Sequence, residues 1–259
     1  MKKSEIRGDF PYWGIDGCRG GWLYVGLNRK GEHCAFVAEN IRCAYQMMQE
    51  RKAEVALIDI PIGLSDNKEE RECDKHARRF VGERHSSVFR VPCRQAMDAY
   101  KKCADHEAGK KAGEEESCRI TGGPMSEQTW AIASKIAEVD DFLQCPAHMK
   151  NEGFKLRETH PEVCFRALSP CDADLEYGKS TPDGIEERRK ILESRLPDAR
   201  NIESEIKACL KHGIADDDIL DAMVAAVTAK VGRAKTLPPN PPTDSRGLSM
   251  EMVFSKSKL

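Results

Sequence analysis

Asp218 and Asp221 stand three residues apart in Asp218-Ile219-Leu220-Asp221-Ala222-Met223-Val224-Ala225-Ala226-Val227-Thr228-Ala229, a spacing that places both carboxylates on one helix face. The unbroken small and apolar run after them requires that helix to be buried. Buried aspartates are rarely tolerated unless paired, hydrogen-bonded or bound to a metal. Two more aspartates raise the same question: Asp16 in Trp13-Gly14-Ile15-Asp16, and Asp59 inside Val55-Ala56-Leu57-Ile58-Asp59-Ile60. Four clustered carboxylates repel one another unless a cation joins them, and hard oxygen ligands suit Mg²⁺ or Mn²⁺. Two such ions about 4 Å apart activate water and stabilise the leaving oxygen of a phosphodiester. Simpler roles compete. Asp16 beside Gly17 has turn composition, and Asp216, Asp217 and Asp218 would serve as a capping cluster at a helix start. Asp59 and Asp221 are harder to explain that way.

The elements around these residues decide whether they can meet. Strand formers begin at Trp13 to Asp16, continue at Trp22 to Asn28 after the turn Arg19-Gly20-Gly21, and return at Cys34 to Ala38, which reads as an antiparallel meander. Arg42 to Lys52 has helical composition, with Ala44, Met47 and Met48 at helical spacing. Val55 to Ile60 reads as a strand buried on both faces, ended by Pro61 and Gly63. Ser126 can cap a helix from Glu127 to about Leu143. Lys155 to Thr159 is a short strand, and helices are expected over Asp183 to Arg195, Asn201 to His212 and Asp216 to about Gly232. Pro238-Pro239-Asn240-Pro241-Pro242 is an extended linker to Leu248–Phe254, whose alternation suggests an added strand.

Three strands, helix, strand, helix, strand, helix give an α/β fold with a mixed sheet. This is the order of the ribonuclease H-like fold, a five-stranded sheet ordered 3-2-1-4-5 and flanked by helices. We expect a single domain over 1–259, with 66–123 inserted after strand 4 as a charged, mostly helical lid and 237–259 as a C-terminal extension. If strands one and four are parallel neighbours, Asp16 and Asp59 emerge at one sheet edge, about 5 Å apart in backbone terms. The last helix can then bring Asp218 and Asp221 across that edge.

Composition narrows the functional classes. The net charge of −2 provides no global basic field, so any nucleic-acid contact must come from a local patch. No apolar run reaches the roughly 18 residues of a spanning helix, and no partner membrane is expected. The eleven cysteines lack any CxxC pair, their closest spacing being Cys164 to Cys171. That argues against a zinc ribbon and for a reduced, cytoplasmic protein.

Several motifs resemble the family known as domain of unknown function 429, regarded as predicted nucleases of the ribonuclease H-like superfamily. They are Gly14-Ile15-Asp16-Gly17-Cys18-Arg19-Gly20-Gly21-Trp22, Ile58-Asp59-Ile60-Pro61-Ile62-Gly63-Leu64, Cys73-Asp74 with Arg78, and Ser86-Ser87-Val88-Phe89 with Pro92 and Arg94. Ser126-Glu127-Gln128-Thr129 with Lys135-Ile136, Glu158-Thr159-His160-Pro161-Glu162 and Asp218 to Ala229 complete the set. The last segment is similar to the Asp-x-x-Asp-Ala helix of Holliday-junction resolvases, and this likeness implies Asp16, Asp59, Asp218 and Asp221 as metal ligands. Those resolvases carry a Glu where this chain has the shorter Asp59, so branched-DNA specificity does not transfer. Dimerisation, which many resolvases need, is compatible with a homodimer here but is not readable from the chain.

Glu158, His160 and Glu162 alternate along a segment read as extended, so all three can face one side. Either Glu is a candidate ligand, and His160 a candidate to orient water or donate a proton; the plainer reading is a structured His160-Pro161 turn. Between Arg71 and Lys102 there are nine Lys or Arg against four acidic residues. This surplus suits phosphate contact, with Arg78, Arg84 and Arg94 as forks and Lys135 as a candidate transition-state cation. The resulting expectation is a two-metal nuclease acting on DNA or RNA. Against it stand a non-catalytic nucleic-acid- or protein-binding module of the same fold, and a nucleotide-phosphate binder of actin or sugar-kinase type. The last needs two such halves, and one Asp-bearing first strand is present.

Overall fold

The computed structural model describes residues 8–145, 153–210 and 214–256. Strands β1 (Tyr12–Cys18), β2 (Gly21–Leu27) and β3 (His33–Ala38) pair antiparallel through tight turns. Helix α1 (Ile41–Glu50) follows, capped by the Asn40 side chain, which accepts from the Cys43 N–H at 2.9 Å. After β4 (Val55–Ile58) come α2 (Glu72–Val81), α3 (Arg94–Lys101), α4 (His106–Thr121), α5 (Glu127–Ala131) and α6 (Ala133–Leu143). Strand β5 (Lys155–Glu158) leads to α7 (Pro161–Leu168), α8 (Pro182–Glu193), α9 (Ala199–Cys209) and α10 (Asp216–Val231), then β6 (Ala234–Leu237) and β7 (Met252–Ser255).

The first five strands form one mixed sheet in the order β3-β2-β1-β4-β5, the order expected from the sequence. β4 runs parallel to β1, and β5 parallel to β4, so the carboxyl ends of these three strands share one edge. The expected C-terminal strand does not join this sheet. β7 pairs with β6 in a separate two-stranded sheet, and its four residues are all buried rather than alternating. The expected helix end at His212 lies outside the described residues.

The chain divides into two compact units. One comprises residues 1–59, 151–235 and 253–259; the other comprises 60–150 and 236–252. The expected insertion 66–123 falls inside the second unit, which also holds the helix predicted over 127–143. That helix is two helices, α5 and α6, separated at Ile132 (φ −103°, ψ 3°), while Ser126 caps α5 as expected by accepting from the Thr129 N–H. Among the described residues no helix is long and apolar enough to cross a membrane.

In the first unit the sheet is covered on both faces, and α10 supplies the core of one. Three aspartates in its first turn and Lys230 in its last suit the helix dipole, and Gly232, at φ 67°, follows its end. Every residue from Ile219 to Ala229 is buried, as an all-round apolar helix must be. Leu23, Val25 and Leu27 of β2, Phe165 of α7, Leu192 of α8 and Ile202 of α9 pack with it in one cluster. On β1 the contact is closest at Gly14. A Cβ there would lie 2.0 Å from the Ala222 carbonyl oxygen and 2.4 Å from the Ala226 nitrogen. Only glycine lets the helix backbone rest on the strand. Trp13 and Tyr24 stack instead with Phe36, at centroid separations of 5.7 and 4.9 Å.

Candidate functional site

Side chains two apart on a strand share a face, so Asp16 faces the same way as Gly14 and meets α10 near its amino end. β1 runs two residues past Asp16, held by its pairing with β2. The Asp59 N–H donates to the Ile15 carbonyl at 2.9 Å, which extends the parallel ladder by one step and sets Asp59 beside Asp16. Asp16 and Asp221 are buried, at 8% and 2% exposure, while Asp59 and Asp218 are half-buried. The four aspartates predicted from sequence are thus brought together within the first unit.

Their electrostatics record that proximity. Burial, followed by the charges of Asp59, Asp221 and Asp218, holds the Asp16 carboxyl well above the usual carboxylate range, with Lys179 opposing. Burial also raises Asp59, against the favourable charges of His160 and Lys179, and Glu162 adds to the rise. Asp221 is pushed up to about 7 by burial, then by Asp59 and Glu162, with Lys179 offsetting part of the effect. Lys179 shows the reverse. Burial would lower its ammonium, but Asp221, with Asp217 and Asp59, raises it well above its usual value.

The neighbouring acids divide their roles differently from the sequence reading. Asp216 pairs with Lys207 at 2.5 Å and Asp217 with Lys179 at 3.6 Å. The capping contact belongs to Asp218, whose Oδ2 accepts from the Ala215 N–H at 3.3 Å.

Glu158, His160 and Glu162 do not share one extended face. In register Ile15, Ile58 and Glu158 form one row, so Glu158 lies on the sheet face opposite Asp16 and Asp59, buried at 2% exposure. Thr159 takes the cluster's face; its Oγ1 donates to the Val253 carbonyl at 2.6 Å. His160 ends the extended backbone as the cap of α7, its Nδ1 accepting from the Glu162 N–H at 3.2 Å. Glu162 lies in the first turn of α7, where Pro161 begins the helix.

Arg78, Arg84, Arg94 and Lys135 all belong to the second unit. Arg78 donates to the Val88 carbonyl at 2.7 Å and pairs with Glu70. Arg84 and Lys135 are half-buried. Arg94 is 4% exposed, held by Asp140 at 2.6 Å and by Asp244. A guanidinium enclosed by two carboxylates is not presented to a phosphate. Five of the nine cations between Arg71 and Lys102 are ion-paired within the unit, so the surplus counted along the sequence is largely spent internally.

Two residues of the site escaped the sequence. Lys179 donates to Asp221 Oδ2 at 3.0 Å from a loop, and nothing in Tyr177-Gly178-Lys179-Ser180 marks it. Arg188 sits in Glu186-Glu187-Arg188-Arg189-Lys190, which reads as a solvated face, yet it is fully buried against Glu162.

The four clustered aspartates offer only carboxylate oxygens, and their mutual repulsion is the condition a divalent cation relieves. This donor set fits Mg²⁺ or Mn²⁺ better than softer ions. The family model described as protein of unknown function (DUF429) matches residues 14–243 of the chain. No curated protein matches it, and no solved structure does.

Proposed function

We propose that this chain, which belongs to the DUF429 family, is a metal-dependent nuclease of ribonuclease H-like fold that hydrolyses phosphodiester bonds of DNA or RNA. The observation that carries this reading is the convergence of Asp16, Asp59, Asp218 and Asp221 where parallel β1 and β4 meet the buried helix α10. Bound by these four carboxylates, a pair of Mg²⁺ or Mn²⁺ ions would supply an activated water and charge stabilisation for the leaving oxygen. The chain's own groups complete the chemistry. With Nδ1 accepting from the Glu162 N–H, a neutral His160 carries its proton on Nε2, the tautomer able to donate to a leaving oxygen. The ammonium of Lys179 lies against Asp221 and offsets part of the cluster's negative charge, which otherwise repels a phosphate. The eleven cysteines stand as free thiols, and we place the protein in a reducing, cytoplasmic compartment on that ground.

Labelled DNA and RNA substrates, linear and branched, incubated with Mg²⁺ or Mn²⁺ test the proposal and define the substrate. Cleavage is expected to vanish with EDTA. In Asp59→Asn it is expected to fall by ~10²-fold or more, the scale of losing one charge-stabilising group in an active site. Cleavage retained in Asp59→Asn, or indifferent to EDTA, contradicts it.

A further inference from the structure

We propose that Glu162 supplies a fifth carboxylate oxygen to the cluster, its Oε2 taking a divalent cation together with Asp59 and Asp221. The inference rests on the metal-dependent reading above and names a ligand beyond its four aspartates.

The geometry of two neighbouring ion pairs carries it. Arg188 and Arg189 are consecutive on α8, and each meets a buried glutamate. Arg189 grips Glu203 as a fork, Nε to Oε2 at 2.8 Å and Nη2 to Oε1 at 2.7 Å, the arrangement that satisfies both carboxylate oxygens. Arg188 reaches Glu162 at one point only, Nη2 to Oε1 at 2.5 Å. Its Nη1 is committed to the Gly184 and Tyr177 carbonyls at 3.0 and 3.3 Å. Its guanidinium also lies 5.5 Å from the centroid of the Phe165 ring. Held on that side, Arg188 cannot turn to cover both oxygens. Glu162 Oε2 is therefore left buried without a hydrogen-bond partner, in a residue 5% exposed.

An anionic oxygen enclosed without a donor is a costly arrangement, and its cost disappears when a cation meets it. The surroundings of Glu162 agree. Its charge raises the pKa of both Asp59 and Asp221, so three carboxylates from β4's end, α7 and α10 face one volume. Lys179 already brings positive charge to the Asp221 side of that volume. A glutamate serving only as counter-ion to Arg188 would be expected in the fork that Glu203 makes.

Calorimetric titration of the full chain with Mn²⁺ tests the proposal, comparing wild type, Glu162→Gln and Glu203→Gln. The Gln at 162 keeps the shape and an acceptor for Arg188 while removing the charge. Glu203→Gln breaks a matched buried pair on the same helix. Glu162→Gln is expected to bind Mn²⁺ roughly tenfold or more weakly, the scale of losing a metal-site carboxylate, while Glu203→Gln titrates as wild type. If Glu162→Gln binds as wild type does, Glu162 is only the partner of Arg188 and the four-aspartate reading stands alone. If wild type binds no Mn²⁺, both readings fall. Should circular dichroism show Glu162→Gln unfolded, the double variant Glu162→Met with Arg188→Met removes both buried charges at similar volume. The same loss of affinity is expected there, and unchanged affinity overturns the proposal.

Discussion

Asp16, Asp59 and Asp221 share one constraint: each is placed where the neutral carboxyl is favoured over the carboxylate. The sign of the resulting pH dependence follows. An acid whose pKa is higher folded than unfolded stabilises the fold below its unfolded value, near pH 4, and that contribution is lost as pH rises toward its folded value. For Asp221 the window closes at about 7. In EDTA, the melting temperature of the wild type is therefore expected to fall between pH 4.5 and 7.5. Asp221→Asn, neutral throughout, should show a flatter profile and melt above wild type at pH 7.5; a flat wild-type profile would contradict this assignment. Mn²⁺ should raise the wild-type melting temperature at pH 7.5 more than at pH 4.5. These aspartates were legible in the sequence because a carboxylate amid apolar residues is anomalous wherever it occurs. Lys179 and the Glu162–Arg188 pair were not, because a charge in a polar loop or an amphipathic helix looks the same whether solvated or enclosed.

The element that sets the site is α10, and its placement depends on one residue without a side chain. Gly14 lets the Ala222 and Ala226 backbone lie on β1, which delivers Asp218 and Asp221 to Asp16 two residues along the strand. Gly14→Ala should cost about 1–3 kcal/mol or more, the scale of forcing a methyl group into a packed core, as measured by urea denaturation. It should also weaken Mn²⁺ binding, because the helix that moves is the one that carries the carboxylates. Unchanged stability would contradict the close approach of helix and strand. The element order and the 3-2-1-4-5 sheet were legible because alternation, small-residue runs and turn residues repeat over many positions. The facing of Glu158 was not, since a shift of one residue in register exchanges the two sheet faces and composition does not fix that parity. The break at Ile132 was equally hidden: Trp130-Ala131-Ile132-Ala133 contains no Gly or Pro to announce it.

Across the whole molecule, the basic stretch and the acidic cluster belong to different units, and their charges do different work. Composition counts cations but not their partners, so the surplus from Arg71 to Lys102 read as a phosphate surface although much of it is paired. Arg94→Ala is expected to destabilise the protein by about 3–5 kcal/mol, because it strands two buried carboxylates, Asp140 and Asp244, the cost of breaking a buried pair from one side. Mn²⁺ affinity should be unaffected. Intact stability with weakened nucleic-acid binding would instead return Arg94 to the role its sequence suggested. The acidic cluster bears the functional claim, and the most direct measurement is Mn²⁺-dependent cleavage of a labelled nucleic-acid panel by wild type and by Asp16→Asn. The expected result is cleavage by the wild type that drops ~10²-fold or more in a folded Asp16→Asn; equal cleavage by the two proteins would contradict the account.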